Sequence, residues 1–217
     1  MKKNIVVIVL ALFTIVGTAN AQFLRFGVKG GLTSSNVKFD KTTFTSGAND
    51  FIAKQGDSKF GMQFGFFGRI QLLGLFIQPE LLFAHSQSEV QLTDVTANKV
   101  YNETQKFNKV DIPVLVGWKL GPARIGLGPV ATIMLNETDG LKDKLADLAN
   151  QTTKSNFKNA TFGYQVGVGL DILKKIAIDV KYEGNLSKLG SGMTLNNTAY
   201  KFDQRTSQWI FSLGIFF

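Results

Sequence analysis

The sequence contains no cysteine and only one histidine. Disulfides, thiolate metal sites and histidine clusters are therefore excluded. No phosphate loop, nucleotide fingerprint or metal-ligand spacing occurs. Gly27-Val28-Lys29-Gly30-Gly31 is glycine-rich, but it lacks the required motif and the helix that should follow. Beyond the first residues, no apolar run approaches the roughly 20 residues of a spanning helix. The formal net charge is +8, yet no lysine or arginine block gathers it into a nucleic-acid footprint. No cofactor, metal or nucleic acid is implied.

The start of the chain reads as a targeting segment. Lys2 and Lys3 precede an almost unbroken apolar run over residues 5–16, and Ala19-Asn20-Ala21 has the small-x-small pattern of a cleavage site. The pattern predicts a secretory signal peptide over residues 1–21 and a mature chain from Gln22. The run is short for a membrane anchor. No cysteine follows it to carry a lipid. Without Lys2 and Lys3, 22 basic residues face 16 acidic ones, a modest and scattered excess. Residues 22–217 are long enough for one domain.

What the chain has instead is alternation, with 22 glycines and 19 phenylalanines. In the last eleven residues Trp209, Phe211, Leu213, Ile215 and Phe217 share one face. Gln208, Ile210, Ser212, Gly214 and Phe216 share the other. A period of two marks a strand. The same reading predicts strands over residues 24–33, 59–71, 75–86, 106–120, 123–136, 159–171 and 176–187, eight in all. Gly30-Gly31 suggests a bulge or a bend. Pro79 and Pro129 interrupt two strands, because proline offers no N–H to a ladder.

The connections alternate in length. Those near Leu72, Gly121 and Leu173 are short, and those over 34–58, 87–105, 137–158 and 188–205 are long and polar. Val90, Leu92 and Val95 alternate within the second of them, hinting that strands extend into it. Leu141, Leu145 and Leu148 have helical spacing and predict a short amphipathic helix over the barrel mouth. Even strand number, short turns at one end and long loops at the other predict an all-β, eight-stranded antiparallel up-and-down transmembrane barrel of the outer membrane. A soluble lipocalin-like barrel would alternate equally well, so the decision rests on which face carries charge and glycine.

The faces opposite the apolar ones carry Arg25, Lys29, Arg69, Glu80, Asp111, Lys119, Arg124, Asp179, Lys181 and Glu183, with Gln63, Gln78 and Gln165. Eight strands leave an interior that side chains just fill, and buried charges need partners. The expectation is an ion-paired interior rather than an open channel. Phe67, Phe76, Leu82 and Leu115 share that face and predict an apolar part of the interior, either ordinary packing or a small ligand pocket. Trp118, Tyr164, Tyr182, Trp209, Phe211 and Phe217 are the expected aromatic girdles. His85-Ser86 is the one pair that suggests acyl-transfer chemistry. Neighbours on a strand point to opposite faces, so His85 is not placed to activate Ser86, and Glu89 or Asp94 would reach the ring only by loop folding. No catalytic residue is assigned.

These elements resemble a known family. The opening Phe26-Gly27-Val28-Lys29-Gly30-Gly31 with Asn36 after it, Pro79-Glu80-Leu81, and Val110-Asp111-Ile112-Pro113-Val114-Leu115 are similar to the Bacteroidetes outer membrane beta-barrel, or PorT-like, "porin family" proteins. So are Gly126-Leu127-Gly128-Pro129, Phe162-Gly163-Tyr164-Gln165-Val166-Gly167 and the terminal Phe217. The resemblance implies an exported barrel of a Gram-negative cell, in contact with outer membrane lipid. It implies that barrel assembly machinery reads the terminal aromatic during insertion. It implies little about activity. The expected role is non-enzymatic, a surface, structural or binding function of a monomer whose external loops could meet a protein partner. The alternative is a narrow channel or small-ligand carrier.

Overall fold

The computed structural model describes residues 24–39, 42–46, 49–139, 153–157, 160–187, 190–195, 198–200 and 204–217. Among the described residues there are twelve strands: β1 (Leu24–Phe39), β2 (Thr42–Ser46), β3 (Asn49–Leu72), β4 (Leu75–Asp94), β5 (Lys99–Leu120), β6 (Ala123–Asp139), β7 (Thr153–Phe157), β8 (Ala160–Ile172), β9 (Ile176–Asn185), β10 (Gly190–Leu195), β11 (Thr198–Tyr200) and β12 (Gln204–Phe216). Eight form the ring, in the order β1-β3-β4-β5-β6-β8-β9-β12, and β12 pairs back onto β1. Each neighbouring pair is antiparallel. Closure leaves the ring no free edge, so every strand finds a partner on both sides.

Three tight turns close one end of the ring. Leu73 and Gly74 adopt φ 50° and 85°, Gly121 61°, and Leu173 and Lys174 50° and 58°. The left-handed region is easy for the glycines and uncommon for the others. At the opposite end the strands run far past the tight-turn pattern. β4 and β5 keep one register from Leu75↔Trp118 to Asp94↔Lys99, and only Val95 to Asn98 turn between them. Asp94 Oδ1 accepts from the Ala97 N–H at 2.8 Å, fixing that turn. The polar stretch 87–105 is thus mostly strand, not loop. Outside hydrocarbon a strand no longer needs an apolar outer face, so polarity there carries no loop signal. Residues 34–39, 42–46 and 49–58 are likewise strand. The helix expected over 140–148 lies outside the described residues.

The inward and outward faces alternate as the period of two requires. Phe64 and Phe66 on β3, Leu81 and Phe83 on β4, Trp118 on β5, Leu127 on β6 and Val168 on β8 are exposed on the outer face. Gln63, Arg69, Glu80, Asp111, Arg124 and Lys181 are buried on the inner one. The molecule inverts a soluble barrel, apolar outside and charged inside. That arrangement suits hydrocarbon around it. Glycine pair Gly30-Gly31 makes no bulge: β1 keeps one register against both neighbours from Gly27 to Ser35. Instead Gly31 gives close approach, since a Cβ there would lie 2.7 Å from the Phe211 carbonyl oxygen. Within the ring, the bulges among the described residues fall in the β3–β4 pair beyond Gln55 and in the β5–β6 pair at Asn108.

The prolines leave register intact but open the ladder. β3 and β4 pair at Phe67↔Glu80 and again at Ile70↔Ile77, with two pairs missing at Pro79. β4 and β5 pair at Pro79↔Val114 and again at Leu82↔Asp111, with two missing at Pro113. β5 and β6 pair at Pro113↔Val130 and again at Val116↔Leu127, with two missing at Pro129. Each proline lacks the N–H that would face the preceding strand. Together they draw a seam of absent hydrogen bonds across four adjacent strands.

Candidate functional site in the barrel lumen

Every ring strand contributes polar side chains to the packing of the lumen. Nearest the tight turns, Asp171 at the end of β8 gathers cations. Arg69 Nη1 lies 2.9 and 2.7 Å from its two carboxylate oxygens. Arg124 Nε is at 2.9 Å, Lys119 Nζ at 2.5 Å and Arg25 Nη2 at 3.5 Å. Aromatic faces complete the layer. The Arg25 and Arg69 guanidinium carbons stand 4.0 and 4.7 Å from the Phe216 ring centre, within cation–π range.

One layer further in, Lys29 bridges Glu80 at 2.6 Å and Asp179 at 2.9 Å. Lys181 reaches the other Glu80 oxygen at 2.8 Å. Arg124 Nη2 donates to Asp179 at 2.8 Å. Gln78 ties the two layers, accepting from Arg69 Nε and donating to Glu80, each at 2.6 Å. A third layer centres on Glu183, which accepts from Gln165 at 2.6 Å and Gln208 at 2.8 Å. Lys109 sits 3.0 Å from Asp111 and 3.6 Å from Glu183. Thr132 donates to Asp111 at 2.6 Å.

Small residues make room for this packing. A Cβ on Gly169 would lie 2.3 Å from Asp179 Oδ1 and 2.6 Å from Arg124 Nη2. The Phe67 ring rests over Gly27 and Gly214 and against Phe216, with ring centres 4.8 Å apart. Phe76 lies under the Arg69 and Arg124 guanidiniums. The two cavities described inside the lumen are each about 10 Å³. One is bordered by Phe76, Leu115 and Lys181, the other by Ser35, Ser86, Ser88 and Gln208. Such a volume admits about one water.

All ten charged residues singled out from the sequence lie in this lumen. The sequence reading left Lys109 and Asp171 out of the set. Both sit on the inward period, Lys109 two residues before Asp111 and Asp171 two after Gly169, so the signal was present. Among the described residues the network holds seven cations and five carboxylates. The surplus gathers around Asp171. The arrangement gives every one of these charges a partner of opposite sign. It sets no nucleophile beside a base.

Outside, Tyr164, Tyr182 and Trp209 form an aromatic patch towards the long-hairpin end, with ring centres 6.4 and 5.3 Å apart. Trp118 and Phe217 lie near the tight-turn end, and Phe211 faces outward between the two. His85 also faces outward, bonded to Asn108 Oδ1 through Nδ1 at 2.8 Å and to Gln87 Nε2 through Nε2 at 3.2 Å. Ser86 points into the lumen. The ring's partners are amides, not a nucleophile or an acid. Above the apolar belt Lys59 Nζ lies 2.6 Å from Glu89 Oε2. This pair raises the lysine pKa and holds the Glu89 carboxyl below its ordinary range.

Among solved structures, the chain is similar to Ail, the attachment invasion locus protein of Yersinia pestis, at 13% identity and TM-score 0.41, covering 89% of this chain and 98% of that one. OprG of Pseudomonas aeruginosa aligns at 11% identity and TM-score 0.49, over 89% and 95% of the two chains. The outer membrane protease OmpT of Escherichia coli aligns at 9% identity and TM-score 0.43, over 93% and 99%. No curated protein sequence matches. The family model described as "Outer membrane protein beta-barrel domain" matches residues 19–191, well over half of the chain. With its ring, its apolar outer belt and this match, the chain belongs to the outer membrane protein beta-barrel domain family and has its place in the outer membrane.

Proposed function

We propose that the protein is a sealed, non-enzymatic barrel that presents rigid β-extensions at the surface of a Gram-negative cell. One observation carries the reading: the chain Lys29–Glu80–Lys181 crosses a lumen whose described cavities hold about one water each. An ion-paired plug of this kind leaves no path for a hydrated solute. Tight turns in outer membrane barrels are periplasmic, which puts the β3–β4–β5 extension outside. Rigid scaffolds carrying exposed segments are suited to binding. Residues 1–21 act as the signal peptide, and the protein is a monomer inserted by the barrel assembly machinery. We place it with the PorT-like Bacteroidetes group, on the segments quoted above.

Planar bilayers test the reading. The purified protein is expected to give no reproducible conductance steps. Stable steps whose size changes with Arg69→Ala or Glu80→Ala would favour a narrow conductor instead. The surface role is tested separately, by replacing residues 90–103 with an Asn-Gly turn. Loss of cell-surface binding with unchanged membrane insertion is expected. His85→Ala is expected to leave the lipid profile of the native cell unchanged, and an altered profile would argue for an enzyme.

A further inference from the structure

Charge is not balanced evenly along the lumen. In the third layer Asp111 and Glu183 outnumber Lys109. In the second, Lys29, Lys181 and Arg124 face Glu80 and Asp179. At the tight-turn end, Arg25, Arg69 and Lys119 have Asp171 as the one carboxylate within ion-pair distance among the described residues. Arg124 leans on it as well. This end therefore holds a surplus of about two positive charges, in an interior where uncompensated charge is expensive. The three tight turns carry no acidic residue and bear the exposed Lys174 and Lys175. The terminal carboxylate of Phe217 lies at the same end, where the Phe216 N–H meets the Lys175 carbonyl, and these two lysines more than balance it.

Two of the cations are open to the outside. The side chains of Arg25 and Lys119 keep 18% and 16% of their surface exposed, while Arg69 keeps none. Arg25 stands 3.5 Å from Asp171, longer than a hydrogen bond. Its Nη1 donates to the Lys174 carbonyl at 3.0 Å. A guanidinium has five N–H donors and an ammonium three, so both side chains keep donors for a further acceptor. Behind them, Arg69 Nη2 is buried without a hydrogen-bond partner.

We propose that the tight-turn mouth of the barrel binds a doubly charged oxyanion of the phosphate class, held by Arg25 and Lys119. A phosphate carries about two negative charges near neutral pH, which matches the surplus. The guanidinium fork matches its oxygens, and a mouth lined by one sign of charge concentrates such ions. Asp171 keeps Arg69 and Arg124, and the two outer cations bridge it to the anion. Both outer cations belong to the inward face, whereas lipid headgroups flank the outer wall. The anion therefore comes from the periplasm, the compartment assigned above to this end.

Isothermal titration of the full barrel in phosphatidylcholine nanodiscs with inorganic phosphate tests this. Saturable uptake of one phosphate per barrel is expected, with sulfate competing and chloride not. Arg25→Gln and Lys119→Gln are each expected to weaken it about tenfold, the scale of one lost charge-assisted hydrogen bond. Asp171→Asn removes the competing carboxylate and is expected to tighten binding, a change opposite in sign to a folding defect. Lys106→Gln, at the other end, should leave it unchanged. Circular dichroism verifies that each variant folds. Phosphatidylcholine supplies phosphate diester throughout, so a mouth filled by lipid headgroups would show no uptake. Absence of saturable uptake, or uptake indifferent to both Arg25→Gln and Lys119→Gln, would overturn the proposal. Conductance reports on the sealed lumen and phosphate uptake on its mouth, so the two readings fail separately.

Discussion

Glu80 is the residue on which the lumen turns. It neutralises Lys29 and Lys181 and accepts from Gln78, with no exposure of its own side chain. Glu80→Ala strands the buried Lys181 ammonium, leaves Lys29 with Asp179 alone, and is expected to destabilise the barrel by about 3–5 kcal/mol, read as a lowered urea midpoint in lipid vesicles. Replacing Lys29, Glu80 and Lys181 together with apolar residues of similar size is expected to cost much less. Gly169 makes the complementary point. Gly169→Val has no room beside Asp179 and Arg124, and overpacking of this kind costs about 1–3 kcal/mol. Outside the membrane, the Lys59–Glu89 pair gives a pH signature. Because Glu89 is held below its ordinary value, its contribution to stability is present above the unfolded pKa and fades as pH falls through the folded one. Lys59→Met is expected to return the Glu89 titration, followed by NMR, towards the value of a free glutamate.

Strand faces were legible because a period of two needs no knowledge of partners. Arg25, Lys29 and Arg69 fall inward from parity alone. Which charge meets which was not legible. Lys29 and Glu80 are 51 residues apart and meet only through the closure of the ring and its register. Parity also places Lys109 and Asp171 inward, although neither entered the list of interior charges; Asp171 ends its predicted strand and Lys109 lies three residues inside its own. Strand length failed for a different reason. Residues 87–105 read as loop because they are polar, and their pairing shows only once β4 and β5 are aligned. The prolines were read as interruptions, whereas the strands run through them and only the ladder pays. Amide exchange by NMR in bilayers is expected to be faster in the gaps around Gly68, Leu81 and Leu115 than along the unbroken β8–β9 and β9–β12 pairs. Pro79→Val should slow exchange in the first of these gaps.

At the scale of the whole molecule, ring and extension are separable. The β4–β5 hairpin above residue 87 pairs mainly with itself and with β3, while the eight strands close below it. Exchanging residues 90–103 for a two-residue turn is therefore expected to leave the thermal unfolding of the barrel in lipid almost unchanged. A large fall in melting temperature would mean that the extension supports the ring. The proline seam has a mechanical consequence as well. A hoop squeezed from the side bends first where its wall is most compliant. Here the arc from β3 to β6 lacks rungs, and the arc through β8, β9, β12 and β1 keeps them. Lateral pressure from the bilayer would then turn a round cross-section oval in a fixed direction, and the soft arc, not the stiff one, would record changes in the lipids around it.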